Sequence, residues 1–254
     1  MPARPEDHVL AAALAEQAGK FLVDLRTRLV AQGVEPIELK QAGDEGAHVL
    51  LMRGLADRAA VGDAVLSEEG RDDKARLGAD RVWIVDPLDG TREFGEPPRT
   101  DWAVHVGLVQ GGAPIAGAVA LPALGVVLST GHPPVVPPPV PGPARVIVSR
   151  TRPPAAATYL AEQMGALLVP MGSAGAKAMA VVRGEADIYA HSGGQYEWDS
   201  CAPVAVALAA GLHASRIDGS PLVYNQSEVY LPDLLICRPE LAPAALDALS
   251  SFRG

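Results

Sequence analysis

Cysteine is nearly absent from this chain: Cys201 and Cys237 are the only two in 254 residues. Neither sits in a CxxC pair, so a disulfide framework and a thiolate zinc site are both excluded, and a reducing compartment fits. Both thiols read as buried small hydrophobes. Aromatic residues are also scarce, at 4%, which removes the stacking platforms a single-stranded nucleic acid needs. Basic residues are outnumbered 21 to 30, giving a formal charge of −9, so the chain is no general binder of phosphate backbones. A small phosphorylated substrate remains open, because a bound divalent cation inverts the local sign of a site. Apolar runs of the roughly 18 to 20 residues that a membrane span requires are missing. The opening segment MPARPEDHVLAAALAEQ lacks the order of basic start, apolar stretch and small-residue cleavage site, so it reads as a mature helix of a cytoplasmic protein. There is no GxxxxGK[ST] phosphate loop and no His or Cys set with zinc spacing.

What is present is enough apolar material for a large core, 48% of the residues. Leu10, Leu14, Phe21, Leu25 and Leu29 recur at helical spacing from Pro5 to about Val30, with Glu6 and Asp7 in the first turn. A second helix is predicted from near Asp44 to Ala60, then a strand at Ala64–Ser67 that ends on Glu68 and Glu69. Arg81–Val85 reads as a buried strand delivering Asp86-Pro87-Leu88-Asp89-Gly90-Thr91 at its end, and Pro87 and Gly90 place those acids in a shaped loop. Strands over Trp102–Val109, Gly112–Leu121 and Gly125–Ser129 follow as an antiparallel meander, with Gly111-Gly112 as a hairpin turn. The proline-rich stretch 131–143 breaks regular pairing and reads as a stiff surface loop or as the joint between an N-terminal lobe, 1–143, and a C-terminal lobe, 144–254. Beyond it, strands at Arg145–Val148, Leu167–Val169, Asp187–Tyr189 and Leu234–Cys237 alternate with helices at Pro154–Met164, Ala174–Val182, Asp199–Ala210 and Pro239–Leu249. Two sheets with helices layered against them follow from this order.

Asp86 and Asp89 are three residues apart around a proline, so both carboxylates can converge on one point from a bent backbone, with the Leu88 carbonyl between them. Oxygen ligands of this kind suit magnesium. Two carboxylates about 4 Å apart repel by roughly 4 kcal/mol at an effective dielectric of 20, so converging acids need a cation, a shared proton or an arginine. The alternative is a plain strand-end turn in which Asp89 bonds its own backbone. Glu68 at another strand end and Asp199 at a helix start are the company that favours a site. His105, within a strand, and His8 and His48, within helices, read as packed or solvated rather than as ligands. Small residues at Gly172–Ala176 before Lys177 could expose N–H groups to an anion, or could mark a close helix–sheet contact beside a surface lysine.

Leu66-Ser67-Glu68-Glu69, Trp83-Ile84-Val85-Asp86-Pro87-Leu88-Asp89-Gly90-Thr91 and Trp198-Asp199 together resemble the inositol monophosphatase superfamily, over nearly the whole chain. Arg92-Glu93-Phe94, Asp101–His105, Gly172–Met179, Gly193–Asp199 and His213–Asn225 are similar to its actinobacterial 3'(2'),5'-bisphosphate nucleotidase branch. The resemblance implies an α+β fold, a layered α-β-α-β-α sandwich of the inositol monophosphatase and fructose-1,6-bisphosphatase type, and a lithium-sensitive homodimer acting in sulfate assimilation. It implies magnesium, two or three ions, held by Glu68, Asp86, the Leu88 carbonyl, Asp89 and Asp199. It also implies substrate contacts at Asp89, Gly90, Thr91, Lys177 and Asp199, with Glu68, Thr91 and Asp44 as catalytic residues. The implied reaction removes the 3'-phosphate of 3'-phosphoadenosine 5'-phosphate. Inositol 1-phosphate, fructose 1,6-bisphosphate or a non-catalytic regulator are the alternatives. The chain departs from the family's usual pattern before Asp44, where Leu39–Gly43 is not rich in Ser or Thr. It also lacks an acidic residue after Tyr189 in Tyr189-Ala190-His191-Ser192.

Overall fold

The computed structural model describes residues 3–253; Met1 and Pro2, which open the segment read as a mature N-terminus, lie outside them. Along the chain run α1 (Pro5–Ala31), α2 (Pro36–Ala60), β1 (Ala64–Ser67), β2 (Arg81–Asp89), α3 (Thr91–Phe94), β3 (Ala103–Gln110), β4 (Ala113–Leu121) and β5 (Val126–Ser129). The second half contains β6 (Arg145–Ser149), α4 (Ala155–Met164), β7 (Leu167–Met171), α5 (Ala174–Val182), β8 (Ile188–Tyr196), α6 (Glu197–Ala209), β9 (His213–Ser215), β10 (Tyr230–Cys237) and α7 (Ala242–Ser250). The first sheet has the order β1-β2-β3-β4-β5, the second β7-β6-β8-β10-β9. Only β1–β2 in the first sheet is parallel; in the second, β6 lies parallel to both β7 and β8.

Alternation along β2 explains the layering. Trp83 and Val85 join α1 and α2 in one core, while Val82 and Ile84 face α5 and α6 in a second. That second core draws on both sheets, because Ile147, Tyr189, Leu234 and Ile236 close it from the far side. A third core joins the outer face of the second sheet to α4 and α7. The result is an α-β-α-β-α stack. A strand buried on both faces loses polar alternation, which is why Arg81–Val85 reads as one apolar run. No helix among the described residues is long and apolar enough to cross a membrane.

Boundaries near the acidic cluster differ from the sequence reading. The second helix begins at Pro36, not near Asp44, because Pro36 at the first helical position has the dihedral a helix start needs. Asp44 therefore lies two turns inside α2. Asp86–Asp89 is the end of β2 rather than a loop after it. The ladder to β3 pairs Asp86 with His105 and Asp89 with Ala103, so the strand gains one residue in a bulge containing Pro87. β8 continues to Tyr196, well past Tyr189.

Candidate active site

Two parallel strand ends and two helix starts meet at one point. β1 and β2 lie side by side, and Glu68 N–H still donates to the Val85 carbonyl at 3.3 Å, so Glu68 at the end of β1 lies beside Asp86 in β2. Asp86 shares the parity of Val82 and Ile84 and therefore points into the middle layer. α6 supplies Asp199 from its first turn. Ligand oxygens of Asp86, Asp89 and Asp199 all lie within 4.8 Å of one another. The sequence reading's plain turn does not describe this arrangement: Asp86 Oδ1 accepts from the Leu88 N–H at 3.0 Å, while Asp89 bonds far along the chain.

Asp89 faces the start of α5. Its carboxylate accepts from Ser173 Oγ at 2.5 Å, Ala174 N at 3.0 Å and Gly175 N at 2.5 Å. The small-residue segment does expose N–H groups to an anion, and here that anion is the protein's own Asp89. The same segment is also a close contact. A Cβ on Gly175 would fall 1.9 Å from His105 Nε2, so only glycine leaves room for that ring. His105 is fully buried, with Nε2 3.1 Å from Asp89 Oδ2 and Nδ1 2.9 Å from the Trp198 carbonyl. It ties the β2 acids to the start of α6. The sequence reading of this histidine as packed or solvated does not reach that role. The available signal was strand parity, which puts His105 on the same face as Ala103 and Gly107, against the middle helices.

These surroundings set the charges apart. Burial alone would raise Asp89, but His105, Ser173 and Lys177 overcome it and hold the carboxyl down at about 2. Asp86 has no such support: burial and the neighbouring Glu68, Asp89 and Asp199 charges push it well above the ordinary carboxylate range. Burial and Asp89 push Asp199 up to about 7. Glu68 rises to about 7 through loss of hydration and its acidic neighbours, despite a side chain that still reaches solvent. Concentrated negative charge, with His105 and Lys177 as counterweights on one side, is a donor set for a hard divalent cation. The residues present fit magnesium. The acidic cluster of Asp86, Asp89 and Asp199 is consistent with a divalent-metal-dependent mechanism.

Thr91 opens α3 directly after Gly90, whose φ of +86° gives the sharp exit from β2. Its hydroxyl lies 3.2 Å from Asp44 Oδ1 and 3.0 Å from the Leu88 carbonyl. The structure thus brings Asp44, Leu88 and Thr91 together beside the trio. Burial and the Glu69 charge raise Asp44 to about 6. Lys177 is buried rather than on the surface. Its Nζ donates to the Ser173 carbonyl at 2.5 Å and sits 5.4 Å over the Tyr189 ring. His8 and His48 instead contact Thr130 and Ser67, through Nδ1 at 2.7 and 2.9 Å.

The profile of the inositol monophosphatase family matches residues 7–250. The chain belongs to that family. It is 53% identical over 242 residues to a 3'-phosphoadenosine 5'-phosphate phosphatase of Mycobacterium tuberculosis, covering 92% of this chain and 89% of the relative. The 3'(2'),5'-bisphosphate nucleotidase CysQ of Escherichia coli K12 is 31% identical over 248 residues, covering 86% and 94%. Among solved structures, CysQ from Bacteroides thetaiotaomicron superposes with a TM-score of 0.73 at 25% identity, over 92% of this chain and 97% of that one. Inositol monophosphatase II from Staphylococcus aureus reaches 0.75 at 19% identity, over 96% and 98%, a likeness of fold. The layered fold expected of the family is the fold observed.

Proposed function

We propose that this protein is a magnesium-dependent phosphomonoesterase that removes the 3'-phosphate of 3'-phosphoadenosine 5'-phosphate, leaving AMP. The observation that carries the reading is the 53% identity, over 92% of the chain, to a phosphatase named for that nucleotide, in a chain whose acids converge within 4.8 Å.

In this reading Glu68, Asp86, the Leu88 carbonyl, Asp89 and Asp199 hold two or three ions where residues 1–143 and 144–254 meet. Magnesium, when bound, neutralises charge on the phosphoryl oxygens, acidifies water and steadies the leaving oxygen. Asp86, the most deeply set of the acids, would be the central ligand of the set. Glu68 at the solvent edge orients the attacking water. Thr91 and Asp44 act as a proton-accepting pair: a threonine hydroxyl alone is a poor base, and Asp44 accepts its proton. Gly90 and Thr91 N–H groups stabilise charge on the phosphoryl group. Asp89 and Asp199 border the bound substrate, and Lys177 offers the one buried ammonium on this wall to a phosphate of the nucleotide. A lithium-sensitive cytoplasmic homodimer belongs to the same reading: family membership supports the lithium sensitivity and the dimer, and the free thiols of Cys201 and Cys237 suit a reducing compartment.

Catalytic efficiencies on 3'-phosphoadenosine 5'-phosphate, inositol 1-phosphate and fructose 1,6-bisphosphate, at one magnesium concentration, test the assignment. The bisphosphate nucleotide should lead by at least about tenfold, a 1.4 kcal/mol preference. A lead for either of the other two compounds would reassign the substrate and leave the chemistry standing.

A further inference from the structure

Glu68 differs from the other acids of the cluster in what carries it. Asp86 and Asp89 stand in β2 and Asp199 in α6, whereas Glu68 follows the last residue of β1 and opens the loop 68–80. Its side chain is exposed at the edge of the cluster, yet its carboxyl meets that of Asp86. The Glu68 N–H donates to the Val85 carbonyl and the Gly70 N–H to the Ser67 carbonyl at 3.0 Å, but pairing with β2 has ended at Ser67. Arg76, 3% exposed, is the one buried residue of the loop. A buried guanidinium needs partners for its N–H groups, so those partners tell what the loop is fastened to.

Within the loop, the Asp72 carboxylate accepts from Arg76 Nε at 3.1 Å and from Nη2 at 2.8 Å, a two-pronged pair. Far along the chain, Nη1 donates to Asn225 Oδ1 at 2.7 Å and Nη2 to the Gln226 carbonyl at 2.9 Å. Lys74 adds a bond from Nζ to the Ser227 carbonyl at 2.7 Å. This receiving segment is pinned from its other side: the Asn225 and Gln226 N–H groups each donate to the Glu197 carboxylate at 2.7 Å. Glu197 is 1% exposed and is the first residue of α6, two before Asp199. A run of hydrogen bonds thus leads from the loop behind Glu68, through Arg76, Asn225 and Gln226, to the helix turn that carries Asp199. α6 is packed between the two sheets, so the exposed loop is the end that yields when the run is cut.

We propose that Arg76 is a positioning residue for the acidic cluster: with Asn225 and Glu197 it clamps the loop so that Glu68 is held facing Asp86 and Asp199 before an ion binds. The clamp rests on the magnesium-dependent reading above and adds to it how an acid on exposed chain is kept in place as a ligand. Lysine would keep the charge but could not fork to Asp72, Asn225 and Gln226 at once, so the role belongs to the guanidinium.

The test measures magnesium binding by calorimetry, and kcat/KM on 3'-phosphoadenosine 5'-phosphate, for Arg76→Gln, Arg76→Lys and Asn225→Gly, each in the wild-type and the Glu68→Ala backgrounds. Arg76→Gln should weaken magnesium binding roughly tenfold, the usual cost of removing the support of a ligand, and Arg76→Lys nearly as much. Asn225→Gly keeps the backbone, because glycine accepts the φ of +59° found there. It removes only the Nη1 acceptor and should cost about threefold. In the Glu68→Ala background each of these losses should shrink below about twofold, since the group being positioned is gone. Losses of equal size in both backgrounds, or lower melting temperatures with magnesium affinity unchanged, would show that Arg76 serves stability alone and overturn the clamp. If the Arg76 variants do not fold, Asn225→Gly decides by the same comparison. Hydrolysis by wild type with magnesium binding unchanged in the variants overturns the clamp alone, whereas a wild type that binds no magnesium overturns the phosphatase reading and the clamp with it.

Discussion

Asp86→Asn and Asp89→Asn should shift the stability of the metal-free protein in opposite directions, although both residues belong to one four-residue segment. Asp86 is 1% exposed, its Oδ1 accepts from the Leu88 N–H, and its carboxyl meets that of Glu68. An asparagine carbonyl accepts the first bond equally well and its NH2 can donate to Glu68, so the exchange chiefly removes charge. At the 4.8 Å limit of the trio, each neighbouring carboxylate repels Asp86 by about 3.5 kcal/mol at an effective dielectric of 20. Proton sharing relieves part of this, leaving an expected gain of about 1 to 2 kcal/mol, or roughly 2 to 8 °C in Tm for a chain of this size. Asp89→Asn instead places an NH2 where Ser173 Oγ and two backbone N–H groups donate, and charged acceptors are worth about 1.5 to 3 kcal/mol each. Its expected loss is about 3 kcal/mol. Denaturant melts in EDTA measure both. Saturating magnesium should then reverse the first ranking, since an ion at about 100 times its Kd adds roughly 2.7 kcal/mol to wild type alone. Both variants should be nearly inactive. Metal-free shifts of the same sign and similar size would refute the view that these two carboxylates are held by different forces.

Gly175→Ala should cost about 1 to 3 kcal/mol in stability by overpacking and lower kcat more than tenfold, because its Cβ would take the space of His105 Nε2; melts and steady-state rates decide it. Thr91→Ala and Asp44→Asn should each lower kcat by about 10² to 10⁴, and the double variant should fall little further, since the two act as one unit; a full multiplication of the single losses would argue against the pair. Asp7, buried at the start of α1, accepts from Arg81 Nη2 at 2.6 Å and the Arg4 N–H at 2.8 Å. Burial would raise its pKa, but Arg81 and Arg4 outweigh it and hold the folded value below the ordinary one. Its contribution is therefore present above the unfolded pKa of about 3.9 and lost as pH falls through the folded value. Asp7→Asn should cost about 3 kcal/mol at pH 7, with the gap to wild type closing below about pH 4 in thermal melts.

How much of this was legible in the sequence depended on whether a residue's role is fixed by its own neighbours in the chain. Asp86 through Thr91 carry their geometry locally: apolar β2 sets the direction, Pro87 forces the bulge, and Gly90 makes the turn at positive φ. Such a segment can be read as a site before any fold is known, even though it lies inside a strand rather than in a loop. Asp44 could be named from the family pattern, yet the start of its helix could not be placed, because Leu39 to Gly43 form an unremarkable helical stretch and Pro36 was not taken as a first turn. His105 and the buried state of Lys177 are of another kind. Strand parity turns His105 toward the middle layer but does not tell it from a packed strand histidine; its role comes from Gly175 and Trp198, 70 and 93 residues away in sequence.

The same distinction explains why the acidic trio and the Lys177 wall beside it make different demands on the fold. The trio is assembled from ends of elements, where backbone direction alone brings carboxylates together, and its cost is electrostatic. That cost is tolerable only because the middle layer is rigid: α5 and α6 are pinned between two sheets, and small residues such as Gly107 and Gly117 let α6 sit so close that a Cβ on either would press on Cys201, Ala202 or Ala205. Tight seating of α6 fixes Asp199, and tight seating of α5 on His105 fixes Asp89. Enlarging Gly117 to alanine, far from any ligand, should therefore weaken magnesium activation along with stability, as α6 is pushed outward and Asp199 with it. A Gly117→Ala variant that loses stability but keeps the wild-type magnesium dependence of kcat would show that the trio can be held without the close layer.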